Sequence, residues 1–376
     1  MNFDHSHYVP CLRWKQGEYK AVSQLPPSSK LMLMPLIEVP EFGRPEHGWD
    51  HETASKTKTI DKHLALFVKR VHKKWVDSPC FLDLSLIPPD QRMENGVHPL
   101  SFIFKELRGL LGCQAIPVTG LLRDEKYLQE IKAALTKDKN GICLRITIEQ
   151  AAKKTIKKEI DSLLSTLKTH SNDCDIILDL GAPTNFLPLD GFLMAIQGIV
   201  SKLPYLNDFR TFTLLGTSFP ETMGSIKKEE EIIPRYEWRL YKRLINSFEK
   251  AGLRLPAFGD YAINHPKVIK QDPRIFKPSA TIRYTIDEGW YIVKGHFVRD
   301  EKFGKFKQYR KLSKQILTSG YYCGPDFSWG DNYIQECATG KSKTGSLSTW
   351  RQVGTNHHIM KVILDIANFY ASANTP

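Results

Sequence analysis

The chain has 376 residues, 41% of them apolar, and 53 Lys and Arg against 41 Asp and Glu give a formal charge of +12. That length suits one barrel-sized domain with a large core, and no stretch approaches the roughly 20 consecutive apolar residues of a membrane span. The opening MNFDHSHYVPCLRWK carries no apolar signal region, so a cytoplasmic protein is expected; seven cysteines without CxxC spacing point to reduced thiols rather than disulfides or zinc.

In chain order, the first thirty residues read as a lead-in, in which residues 8–13 (YVPCLR) alternate like a strand that plugs or flanks a barrel bottom. Residues 31–39 form a short apolar strand ending in one carboxylate, Glu38. The loop over 40–55 carries His47, Trp49 and His51, and loops after strands are where barrels place function. Ile60, Leu64, Phe67, Val68, Val71 and Trp75 fall at helical spacing and predict a helix over 59–75. The same unit recurs, with strands over 80–87, 114–121, 141–148, 174–180, 209–216 and 255–263. Helices are predicted from Pro99, from near Asp124, and over 150–168, 187–202 and 230–250. Residues 280–286 supply an eighth barrel strand, which Asp287-Glu288-Gly289 turns into an antiparallel partner over 290–296. A basic helix over 301–318, a Gly-rich stretch over 319–349 and a final helix over 350–370 follow.

Eight strands alternating with helices define an α/β chain with a (β/α)8, TIM-barrel-like fold, an extra β-hairpin and a C-terminal helical elaboration. A single domain over 1–376 is expected, with the barrel over 31–296 and the helices and Gly-rich loop over 297–376. A doubly wound open sheet is the alternative, but neither GxGxxG nor GxxxxGKS/T marks a nucleotide loop.

Strand residues two apart share a face. Phe81, Asp83 and Ser85 oppose Leu82, Leu84 and Leu86; Cys143, Arg145 and Thr147 oppose Leu144 and Ile146; Asp175, Ile177 and Asp179 oppose Ile176 and Leu178; Thr281, Arg283 and Thr285 oppose Ile282 and Tyr284. The aliphatic face belongs on the helix ring, so the mixed face lines the barrel. This places Glu38, Asp83, Arg145, Asp179 and Arg283 inside, with Asp260 joining them if its strand has the same parity. Buried charges cost several kcal/mol each unless they are paired or open to a wet pocket. Two arrangements satisfy that condition: an internal ion network, or a polar pocket at the C-terminal mouth holding a phosphate or a metal–phosphate pair.

The C-terminal segment carries Ser328-Trp329-Gly330-Asp331 and then Trp350-Arg351-Gln352-Val353-Gly354-Thr355-Asn356-His357-His358. Arg351, Gly354 and His358 share one helix face, so one histidine can reach a pocket while the other caps or faces solvent; the plainer alternative makes both ordinary core or surface residues. Ser328, Asp331 and Arg351 join Arg145 and Arg283 as candidate ligand contacts. Three marks, Tyr8-x-Pro10-x-Leu12-x-x-Lys15-x-x-Glu18, Pro35-Leu36-Ile37-Glu38 and Trp350-Arg351-x-x-Gly354-x-x-His357-His358, resemble the beta family protein group of prophages and bacterial defence neighbourhoods. The resemblance implies a role in phage–host conflict, with a companion defence or toxin protein encoded nearby as partner. It implies no reaction and no catalytic residue.

Three functions compete. The first is a cytoplasmic defence component whose barrel pocket binds an anionic, phosphate-containing ligand and whose basic surface meets a partner. The second is a phosphodiesterase or nuclease, in which Glu38, Asp83, Asp179 and Asp260 hold Mg²⁺ or Mn²⁺, Arg145 and Arg283 grip phosphate, and His357 or His358 is the general acid. The third is non-catalytic nucleic-acid binding through Trp290, Tyr291, Tyr309, Tyr321 and Tyr322 beside Lys302, Lys305, Lys307 and Arg310. Carboxylates converging at metal distance favour the second. Carboxylates each capped by an arginine favour binding or structure.

Overall fold

The computed structural model describes residues 3–42, 59–75, 78–110, 114–267 and 277–373. The first half of the chain runs β1 (Tyr8–Leu12), α1 (Gln16–Ser23), α2 (Pro27–Lys30), β2 (Leu36–Glu38), α3 (Ile60–Trp75), β3 (Cys80–Asp83), α4 (Pro99–Arg108), β4 (Ala115–Thr119), α5 (Glu125–Asp138), β5 (Ile142–Thr147), α6 (Ile148–Ala151) and α7 (Ile156–Leu167). The second runs β6 (Cys174–Asp179), α8 (Leu189–Val200), β7 (Phe212–Leu215), β8 (Glu230–Pro234), α9 (Tyr236–Ala251), β9 (Ala257–Asp260), β10 (Ser279–Ile286), β11 (Gly289–Phe297), α10 (Gln308–Thr318), α11 (Trp329–Thr339) and α12 (Leu347–Ala373). Strands β1 to β7 and β9 close a parallel barrel in chain order, wrapped by helices. The loop residues His47, Trp49 and His51, and Cys113, lie outside the described residues.

The strand that completes the barrel differs from the one expected. It is β1, hydrogen-bonded between β9 and β2, with Tyr8 opposite Phe258 and Cys11 opposite Leu36. Pro10 at its centre lacks an N–H, and a proline argues against a central strand when sequence is read alone. Residues 280–286 lie in β10 instead, which joins β11 and β8 in a separate three-stranded antiparallel sheet. Strand β8 occupies the start of the stretch expected to be helical over 230–250.

The alternation places the two barrel faces as expected. Ile37, Leu82, Leu144, Ile176 and Leu178 face outward and pack in one core with Phe67, Ile103, Ile131, Ile160 and Leu244 of the surrounding helices. Inside, Val9, Leu36, Phe81, Cys143, Ile177 and Leu215 form an apolar plug. Glu38, Asp83, Arg145 and Asp179 stand one pleat further along, two residues past Leu36, Phe81, Cys143 and Ile177. The interior is therefore apolar below and charged above, at the ends of the strands.

A second core lies between β10, β11, α10, α11 and the start of α12, built on Ile282, Tyr284, Val293, Leu312, Ile334 and Val353. Helix α12 ties the two cores together: Val353 packs in the second, while Ile359, Val362 and Ile366 pack in the first. Its 27 residues span about 40 Å at the usual rise per residue. Among the described residues, no helix is long and apolar enough to cross a membrane.

Candidate functional site

At the barrel mouth one guanidinium organises everything. Arg145 Nε donates to Asp179 Oδ2 at 2.9 Å, and Nη1 donates to Glu38 Oε1 at 2.9 Å and Asp83 Oδ2 at 2.8 Å. Nη2 donates to the Tyr261 hydroxyl at 2.9 Å and lies 2.8 Å from Asp179 Oδ2. These contacts use every N–H of the group, so Arg145 has no donor left for a phosphate. Arg123 Nη2 reaches Asp83 Oδ1 at 2.6 Å, and Arg13 Nε sits 3.6 Å from Glu38 Oε2. Backbone N–H groups of Ser85 and Gly181 donate to Asp83 and Asp179, each at 2.8 Å. Three carboxylates thus meet three guanidiniums, and the formal charge of the cluster is zero. Burial alone would raise the Asp83 carboxyl, but Arg145 and Arg123 outweigh it and hold it below its ordinary value.

This is the arrangement in which arginines cap the carboxylates. Among the described residues no three His, Cys, Asp or Glu side chains are grouped to hold a metal ion. The expected ligand set also loses Asp260. Strand β9 turns Ala257 and Tyr261 inward into the plug, and Asp260 lies on the other face, where Tyr8 donates to it and Ala262 N does so at 2.8 Å. Tyr261, absent from the predicted set, takes the interior place and donates to Asp179 Oδ2 at 2.7 Å.

Both adjacent histidines are fully buried in α12; they share Thr285 of β10, and beyond it one reaches β9 and the other α11. His358 Nε2 lies 2.9 Å from Asp260 Oδ2, and its Nδ1 2.8 Å from Thr285 Oγ1. Burial outweighs Asp260 and lowers the His358 pKa, which suits a neutral ring donating through Nε2 and accepting from Thr285. His357 bridges Asp331 Oδ2 and the Thr285 carbonyl, each at 2.8 Å. Asp331 also accepts from Tyr284 at 2.7 Å and from Ser328 at 2.5 Å, while Ser328 Oγ caps α11 through Asp331 N. Ser328, Asp331, His357 and His358 therefore form joints between elements, with no solvent-facing side for a ligand or a general acid.

Arg283 leaves the barrel together with β10 and lines a lateral cavity of about 580 Å³ with Arg351, Lys277 and Lys294. The cavity opens between β10, β11, the first turn of α12 and the turn at 221–224. Arg351 reaches it because α12 crosses α1 at Gly17, where a Cβ would stand 2.6 Å from Arg351 Cγ; any larger residue there would displace the arginine. Arg351 Nη1 donates to the Ile263 carbonyl at 3.2 Å and to Asn264 Oδ1. Arg283 Nε is shut off from solvent and has no hydrogen-bond partner, and among the described residues no carboxylate pairs with its guanidinium. Burial, and then the like charge of Arg351, push its pKa well below the ordinary value. Glu221, which also lines the cavity, is paired with Lys267 at 3.0 Å.

The aromatic set expected to stack bases is mostly core: Trp290, Tyr291 and Tyr309 are buried, and only Tyr321 is well exposed. Lys302, Lys305, Lys307 and Arg310 are exposed, and the exposed aromatic among them is Phe303, which stacks on His296 with Lys302 over its ring, rather than one of the expected set.

The fold and these sites define a parallel (β/α)8 barrel with a neutral, arginine-capped mouth, an attached β-sheet and a basic lateral cavity. The family model described as Beta protein matches residues 8–364, and the chain belongs to that family. It is 23% identical over 373 residues to a protein described as "Protein beta" from Enterobacteria phage P4, across 96% of this chain and 94% of that protein.

Proposed function

We propose that this protein is a cytoplasmic component of phage–host conflict that works by binding an anionic, phosphate-bearing ligand in the lateral cavity, with a partner on its basic surface. The observation that carries the ligand reading is Arg283: a guanidinium with an inaccessible, unpartnered Nε, beside a second guanidinium and without a counter-ion. Such a charge is costly when left alone and is relieved by an anion that accepts from both groups. The phage-encoded relative supports the conflict role. The metal-dependent phosphodiesterase reading lacks a free carboxylate pair, because Glu38, Asp83 and Asp179 share Arg145.

The test is plaque formation on cells carrying this gene with its native neighbours, comparing wild type with Arg283→Met and with soluble protein measured in parallel. Loss of protection with normal protein levels supports a working cavity. Full protection by soluble Arg283→Met refutes it. A companion pull-down with the neighbouring gene products tests the partner.

A further inference from the structure

Resting on that anion-binding reading, we propose that the lateral cavity binds a nucleoside polyphosphate, with its phosphates between Arg283, Arg351 and Tyr309 and its base against Phe297. Size is the first argument. A cavity of about 580 Å³ falls in the range of sites that enclose whole small molecules and is far more than a lone phosphate fills.

Charge is the second. Arg283, Arg351, Lys294 and Lys277 line the cavity; its carboxylate, Glu221, is already matched by Lys267, and Glu18, outside the lining, answers part of the Arg351 charge. A phosphomonoester brings only about −1.5 to −2, so it would leave roughly half of that charge unanswered; a di- or triphosphate chain answers more. The cations are also spread out. Arg283 has a sealed Nε, Lys294 is partly buried, and Lys277 is exposed at the rim. A ligand with charge along its length matches that spread better than a compact ion does.

Uncommitted donors are the third argument. The Tyr309 hydroxyl accepts from Thr281 N at 3.2 Å, and among the described residues nothing accepts its hydrogen. Lys294 Nζ gives two hydrogens to the Met223 and Ile226 carbonyls at 2.9 and 2.6 Å and keeps a third. Arg351 commits Nη1 and leaves Nε and Nη2 free for an oxyanion. The first turn of α12, at Leu347, Trp350 and Arg351, lines the same space, so the positive end of a 27-residue helix adds to the field. Finally, the lining is not wholly basic. Met223, Pro278, Leu347 and Phe297 supply apolar surface, and the Phe297 side chain is 48% exposed, open to a flat base.

The test titrates the full chain, with EDTA present, against ATP, GTP, sodium tripolyphosphate and inorganic phosphate, reading heat and thermal shift. The expected result is that a nucleotide binds about tenfold more tightly than tripolyphosphate, one base–aromatic stack, and that inorganic phosphate binds weakest. Phe297→Ala should bring the nucleotide to the level of tripolyphosphate and leave tripolyphosphate unchanged. Arg283→Met should abolish both, while Lys277→Ala, at an exposed position that does not endanger folding, should weaken both severalfold. Equal binding of tripolyphosphate and nucleotides, with Phe297→Ala silent, overturns the nucleoside assignment and leaves the anion site standing. Failure of every probe to bind overturns both.

Discussion

Replacing Arg145 by methionine, which keeps the aliphatic stem, removes the centre of the barrel-mouth network. Glu38 is left with Arg13 at 3.6 Å and Asp83 with Arg123 at 2.6 Å, while among the described residues Asp179 keeps Tyr261 and a backbone N–H. Removing one partner of a buried ion pair typically costs about 3–5 kcal/mol, because the orphaned charge remains. The Arg145 side chain is 15% exposed, so some water reaches the cluster, and the low end, about 3 kcal/mol, is expected. Against a typical total of about 5–15 kcal/mol this is large. Urea denaturation followed by tryptophan fluorescence measures it, and pH gives it a signature. In wild type the Asp83 carboxyl is held below its ordinary value, so its contribution is present above the unfolded pKa and is lost as pH falls through the folded one. In the variant the uncompensated carboxylates take up protons as pH falls, which relieves the strain. The deficit should therefore be greatest near about pH 8 and shrink toward about pH 4. A deficit under about 1 kcal/mol that does not change with pH would refute the view that Arg145 holds the mouth together.

The other expectations concern the joints and the cavity. His358 has a lowered pKa when folded, so the unfolded state binds the extra proton and stability must fall as pH drops below about 6.5; His358→Gln should flatten that part of the Tm-against-pH curve. Arg283→Met removes a guanidinium that burial and Arg351 both disfavour, so without ligand its Tm should match or exceed that of wild type, unlike the loss of about 1 kcal/mol usual for a partly buried substitution. Because arginines already occupy the barrel carboxylates, Mg²⁺, Mn²⁺ or EDTA should leave Tm unchanged, whereas a tightly bound metal would raise it. A metal-dependent rise of several degrees would reopen the phosphodiesterase reading.

Much of the barrel was legible because its signal is local. Alternation in 80–87, 141–148 and 174–180 shows which residues face in, and it placed Glu38, Asp83, Arg145 and Asp179 together. Pairing is not local. Thr281, Arg283 and Thr285 alternate with Ile282 and Tyr284 just as barrel strands do, since any sheet with unlike faces reads this way, and nothing in the segment says which sheet it joins. Tyr8–Leu12 alternates like a strand that plugs or flanks the barrel bottom, and nothing within the segment shows that β9 and β2 take it as the strand that completes the barrel. Arg13, Arg123 and Tyr261 were missed for a related reason. They lie just beyond strand ends, where no period applies, and only the closed barrel brings them to the carboxylates. Continuing the inward set from Ala257 past Gly259 would have reached Tyr261 and turned Asp260 outward.

The position of β1 bears on how the protein is made. Tyr8 and its partner Asp260 are 252 positions apart, and ribosomes add about 5–20 residues per second, so the first strand emerges roughly 10–50 s before β9 exists to receive it. Throughout that interval one edge of β1 has no β9 to pair with, and an open strand edge invites association with other chains. Helix α12, which holds Asp260 through His358, is made later still. The barrel therefore cannot close before β9 has been made, and yield is expected to respond to translation speed and to chaperones that shield open strands.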